Sequence, residues 1–221
     1  RKPVKKRIVT MCMKMNKFRC HNIAIITEKF ATIKFMKKKY IVGIDEAGRG
    51  PLAGPVAVGA VIGLLNSKLL KKIKDSKKLN AKQREIWHKF LKKNFECHCV
   101  FIGHKTIDKI NIHKATLLGV EKVLKKFKRK LDLVLMDGSL RAPKEYKQKT
   151  IIKGDEKISL ISAASIIAKV SRDRRMMREH KKTPHYAFDK HKGYGTKLHY
   201  KKIKKHGLSN IHRRSFVKNI K

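Results

Sequence analysis

The chain is poor in acid. Its 221 residues carry 58 Lys and Arg against 16 Asp and Glu, a formal net charge of +42 and a pI of about 10.4. So one-sided a field implies a polyanionic partner, with nucleic acid ahead of an anionic membrane surface. Lysine is spread along the whole chain, so part of the excess reads as compositional bias, and charge alone names no substrate. Long apolar runs are missing too. The longest, residues 56–65, falls far short of the ~20 residues of a membrane-spanning helix. Cysteine is scarce: Cys12, Cys20, Cys97 and Cys99 form no CxxC pair and have no His at zinc-finger spacing. That argues against a structural zinc site and a disulfide framework, and favours a reducing compartment such as the cytoplasm. In Cys97-His98-Cys99 the alternation of a strand points both thiols one way, into a core. A hydrophobic fraction of 41% is enough for one globular domain.

The most informative stretch is residues 40–58, YIVGIDEAGRGPLAGPVAV. An apolar β-type run, residues 40–44, ends in two adjacent carboxylates, Asp45 and Glu46. A loop with Gly48, Gly50 and Gly54 follows. Two acids at the end of a buried strand are costly unless a cation faces them, either an internal Lys or Arg or a divalent metal. Glycines let backbone N–H groups approach a partner, and Arg49 between two of them presents a planar charged fork. The glycine spacing is one residue too long for a dinucleotide fingerprint, and the acids precede the loop. A tight turn with solvated acids is the plain alternative. A second apolar strand, residues 131–138, also ends in an acid, Asp137, followed by glycine. In an open α/β sheet ligands gather at the carboxyl ends of strands, so Asp45 and Asp137 are expected at one edge. Asp132 opens its strand and belongs at the far end. Asp155 follows a short strand, residues 150–154, and precedes a long helix, residues 156–180; an N-cap is its ordinary role.

The periodicity predicts further strands at residues 55–62 and 96–103 and helices at 81–93, 113–127 and 197–206, with residues 106–112 as a connector. Ser162, Ala163, Ala164, Ser165 and Ala168 allow the long helix to lie close to the sheet.

These motifs together resemble ribonuclease HII, the type 2 ribonuclease H family. The matching blocks are DEAGRG at residues 45–50, DSKKL at 75–79, INIHKAT at 110–116, LDLVLMDG at 131–138, KGDEKISLISAASIIAKVSRD at 153–173 and HKGYGTKxH at 191–199. The resemblance covers most of residues 40–216. The related type 3 family carries GTG in place of GRG and a larger N-terminal substrate-binding domain, for which residues 1–35 are too short. The resemblance implies a ribonuclease H-like α/β fold, a central mixed β-sheet flanked by helices with a helical C-terminal segment. It implies that Asp45, Glu46, Asp137 and Asp155 are the catalytic metal ligands, with Asp45 bridging two ions. Oxygen ligands suit Mg2+ or Mn2+ and argue against zinc. Gly48, Arg49 and Gly50 would read a ribose 2′-hydroxyl, and Tyr194 would lie against a DNA sugar. Lys77 and Asn111 would lie near the substrate backbone, although solvation for the lysine and helix capping for Asn111 compete.

The implied function is an endoribonuclease that cuts the RNA strand of RNA–DNA hybrids and cuts 5′ of single ribonucleotides embedded in duplex DNA. The products would carry 3′-hydroxyl and 5′-phosphate ends, as ribonucleotide excision repair requires. The expected protein is a monomer with no membrane association. Competing readings are a noncatalytic basic nucleic-acid-binding protein and a two-metal nuclease with no ribose preference. Residues 1–35 hold ten basic residues and one acid, Glu28. They read as an extension dispensable for catalysis, ahead of a catalytic domain at 36–221.

Overall fold

The computed structural model describes residues 39–63, 68–70, 73, 79–138 and 140–218. The extension, its expected boundary at residue 36 and the candidate Lys77 lie outside these residues. In chain order the elements are β1 (Ile41–Ala47), β2 (Val56–Gly63), α1 (Ala81–Asn94), β3 (Cys97–Ile102), α2 (His104–Ile110), α3 (Ile112–Leu124), β4 (Leu133–Asp137), β5 (Gln148–Ile151), α4 (Gly154–Lys157), α5 (Ser159–Lys182), α6 (Phe188–His191) and α7 (Lys197–His206). Short 3-10 turns occupy Lys68–Leu70, Pro184–Tyr186 and Arg214–Phe216.

The strands form one five-stranded sheet in the order β3-β2-β1-β4-β5. β2 runs antiparallel to β1 and β3, whereas β4 runs parallel to β1 and β5, so the sheet is mixed, as expected. Alternation sorts the side chains. Ile41, Val61 and Leu135 pack with Leu160, Ile161, Ala164 and Ile167 of α5. Val42, Ile44, Val58, Ala60, Val134 and Met136 pack on the other face with Val120, Val123 and Leu124 of α3. Each fully buried aliphatic side chain contributes about 1.5–3 kcal/mol relative to exposure. The small residues of α5 bring it onto the sheet so closely that a Cβ added at Gly59 would stand 2.4 Å from the carbonyl oxygen of Ala164. Cys97 and Cys99 share the α5-side cluster, and burial pushes their thiols up to about 12 and about 11.

Four local expectations change. β1 does not stop at Ile44 but runs through both acids, because β2 continues the antiparallel ladder opposite them, Asp45 against Gly59 and Glu46 against Val58. The segment read as a connector is largely helical: α2 is a single short helix, separated from α3 by Asn111 at φ 63°. β5 lies earlier than expected and ends at Ile151, because the chain turns at Lys153 (φ 55°) to present the Gly154 N–H to Asp137. The long helix is broken at Ile158, whose extended backbone (φ −121°, ψ 113°) separates the one-turn α4 from α5. Asp155 is therefore no N-cap. It sits inside α4 and is 1% exposed.

Candidate active site

β1 and β4 place Asp45 and Asp137 one step beyond the paired residues Ile44 and Met136, at the same end of neighbouring parallel strands. Asp45 shares the sheet face of Ile41 and is buried at 6% exposure. Its Oδ1 accepts the Glu46 N–H at 2.8 Å, and Ser165 of α5 hydrogen-bonds its side chain. Burial, then the charges of Glu46 and Asp137, hold the Asp45 carboxyl well above the usual carboxylate range against those bonds. Burial also raises Glu46; Arg49 opposes the rise through a 3.3 Å contact of Nη1 with Oε1, and Asp137 adds to it. Asp137 accepts the Gly154 N–H at 2.6 Å, which draws α4, and with it Asp155, to the end of β4. Asp132 accepts the Tyr40 N–H at the opposite end of the strand, where it was expected.

Three of the four acids therefore feel one another's charge, and the fourth adjoins them through Gly154. Among the described residues, no three Asp, Glu, His or Cys side chains are drawn close enough to hold a metal ion. Their bonds give the reason: Asp45 turns to Glu46 and Ser165, Glu46 to Arg49, and Asp137 to Gly154. Carboxylates that repel one another take local donors. The donor set is nonetheless a hard-cation set. It is all oxygen, with Asp45 and Asp155 buried and Glu46 and Asp137 half-buried, and the carboxyls of Asp45 and Glu46 are raised by burial and neighbouring negative charge, which divalent cations would relieve.

A cavity of about 340 Å³ adjoins the acids, lined among others by Glu46, Gly48, Arg84, Ser165, Lys169 and Tyr194. Gly48 forms its floor at φ 93°, where a Cβ would lie 1.9 Å from Arg172 Nε. Two buried arginines fasten the loop. Arg172 donates from Nε to the carbonyl of Pro55 (2.9 Å) and from Nη2 to that of Ala53 (3.3 Å). Arg213 donates to the carbonyls of Gly54 (3.0 Å), Arg49 (2.7 Å) and Gly48 (2.6 Å). In a trans peptide the N–H points opposite to the C=O, so this grip turns the Arg49 and Gly50 N–H groups away from the guanidinium. Gly50 is exposed, and a Cβ added there meets nothing within 4 Å. Tyr194 is 40% exposed, with Lys169 Nζ and Arg172 Cζ 5.7 and 5.6 Å from its ring centre. Asn111 is exposed and caps α3, its Oδ1 accepting the Lys114 N–H at 3.0 Å. Sequence reasoning assigned no role to Arg172 and overlooked Arg213, His199 and His212. The only available signal was the place of Arg172 and His199 inside the SRD and HKGYGTKxH blocks, and of His212 and Arg213 in the run HRRSF at residues 212–216.

A mixed sheet of this strand order, with acids at the ends of its central parallel strands, is the architecture of a nuclease of the ribonuclease H class. The family model for ribonuclease HII matches residues 42–219. The chain is 44% identical over 183 residues to ribonuclease HII of Caldicellulosiruptor bescii, covering 82% of this chain and 88% of that protein. It is 48% identical over 177 residues to ribonuclease HII of Borrelia hermsii, covering 80% and 98%. The crystal structure of ribonuclease H2 from Pyrococcus horikoshii superposes with a TM-score of 0.67 at 27% identity, covering 80% of this chain and 93% of that one. The chain belongs to the ribonuclease HII family and is a ribonuclease H endonuclease.

Proposed function

We propose that this enzyme cuts the RNA strand of RNA–DNA hybrids and cuts 5′ of single ribonucleotides embedded in duplex DNA, leaving 3′-hydroxyl and 5′-phosphate ends. Asp45, Glu46, Asp137 and Asp155 would hold two divalent ions, Mg2+ or Mn2+. Bound there, the ions supply charge neutralisation at the scissile phosphate and activation of water. The protein's own share is placement. The Arg213-held loop offers the Arg49 and Gly50 N–H groups to a 2′-hydroxyl, a group that deoxyribose lacks. The open space at Gly50 lets the sugar come close. Tyr194 offers a ring to the following sugar, and Lys169 and Arg84 present positive charge to the backbone along the cavity. Family membership sets aside the noncatalytic reading.

The observation that carries this function is the adjacency of the acids at the ends of β1 and β4 to a cavity bounded by Gly48 and Tyr194. The test is a DNA duplex containing one ribonucleotide, incubated with Mg2+ or Mn2+, with the cut mapped to the nucleotide. Cutting on the 5′ side of the ribonucleotide, lost in Asp45→Asn, is expected. Equal cutting of an all-DNA duplex, or undiminished cutting by Asp45→Asn, would overturn the reading.

A further inference from the structure

The geometry points to His199 as a positioning residue for Tyr194, acting through a directional hydrogen-bond chain that begins at Ser209 and passes through His212. The inference rests on the reading above that Tyr194 meets a substrate sugar.

Both imidazoles are buried, His199 at 0% and His212 at 2% exposure. His191 stacks on His199 at 4.1 Å between ring centres, and Phe188 and Tyr186 stand edge-on to His199 and His212. The ionisable groups that bear on the pair are other histidines, His191 and His104, and among the described residues no carboxylate pairs with either ring. The pair is therefore neutral, and its backbone partners fix the tautomers. The Ser209 N–H donates to His212 Nδ1 at 2.8 Å, so the His212 proton is on Nε2. That proton can go only to His199 Nε2, 3.0 Å away, which leaves the His199 proton on Nδ1. From there it is donated to the Tyr194 carbonyl at 2.9 Å.

The opposite side of Tyr194 is held as well. Its N–H donates to the His191 carbonyl at 2.9 Å, and the Gly193 carbonyl accepts the Leu52 N–H at 2.8 Å from the loop that follows Gly50. Both peptide planes flanking the Tyr194 Cα are thus fixed, and only side-chain torsions remain to place the ring. A core that needed only filling would be served as well by apolar side chains. This polar chain ends instead on the residue whose ring lines the cavity.

The test is a double-mutant cycle on the duplex with one ribonucleotide, reading kcat/KM. His199→Leu, which removes the imidazole's donation and leaves the Tyr194 carbonyl only the Thr196 N–H at 2.9 Å, is expected to lower kcat/KM by ~10- to 100-fold. His199→Asn, which keeps a donor near the Nδ1 position, should recover most of the loss. In a Tyr194→Ala background, His199→Leu should cost no more than about twofold further. An equal loss in both backgrounds would mean that His199 serves the fold, and would overturn the inference. If Tyr194→Ala impairs cleavage but His199→Leu does not, the inference fails and the role of Tyr194 stands. Full activity of Tyr194→Ala removes both. If His199→Leu does not fold, His212→Asn replaces it in the cycle. It still accepts the Ser209 N–H but does not reach His199, and the same non-additivity is expected.

Discussion

Gly48 and Gly50 lie two residues apart and are glycines for different reasons. At Gly48 the backbone (φ 93°) and the Arg172 side chain both exclude a Cβ, whereas at Gly50 the protein leaves open space. Gly48→Ala is expected to lower stability by about 1–3 kcal/mol, measured by denaturant unfolding. Gly50→Ala should leave unfolding unchanged and raise KM for hybrid, because only the substrate meets the new methyl group. Asp45→Asn removes a carboxylate that burial and Glu46 both disfavour. Hybrid cleavage should fall at least ~10²-fold, while the melting temperature is unchanged or higher, as seen by calorimetry and a gel assay. The residues legible in the sequence were those embedded in local motifs: the two acids near the end of β1, the glycine loop, Asp137 and Tyr194. Arg213 was not legible, since its three bonds reach back 159 to 165 residues and no local pattern encodes them.

Among elements, the long helices were legible because periodicity over ten or more residues is hard to mistake, and β1 to β4 because each is a short apolar run bounded by turn residues, whereas β5 was misplaced. α2 was not: HKTIDKI spans seven residues, and only Ile107 is buried. The break at Ile158 also escaped notice, because it answers to Asp137 seizing the Gly154 N–H and not to any proline or glycine at the break. The C-terminal elements make a pH prediction. Burial holds His199 and His212 at about 4, below the ordinary value of 6.5. The unfolded chain therefore binds more protons between those values, so stability is fully present above about pH 6.5 and is lost as pH falls towards about 4. The cost is roughly 3 kcal/mol per imidazole, at ~1.4 kcal/mol per pKa unit. Protection factors of residues 183–213, in which the slowing of intrinsic amide exchange at lower pH is divided out, should fall over that window ahead of those of β1 and β2. Protection factors that stay constant from pH 7 to pH 4 would contradict the neutral pair.

At the scale of the molecule, the charge of +42 makes binding an ionic-strength measurement. With six phosphates neutralised, raising salt from 50 to 200 mM should weaken hybrid binding by roughly 10³-fold. Removing residues 1–35 is expected to act on that affinity and to leave kcat within about twofold, since the four acids, the loop at residues 48–50 and Tyr194 lie in residues 45–194. Fold class was readable at this scale because acids ending separate strands make sense only when those strands become neighbours. The course of the chain after Thr183 was less so, its short turns being set by buried imidazoles and not by an apolar period.

The grip of Arg213 on the Gly48 and Arg49 carbonyls has a consequence for synthesis. A ribosome makes Asp45, Glu46, Asp137 and Asp155, and the sheet beside them, well before it reaches the arginine that shapes the turn at residues 48–50. On the function proposed above, a nascent chain in that interval would hold its cutting groups without the part that chooses where to cut, and discrimination would arrive only when a segment translated later folds back.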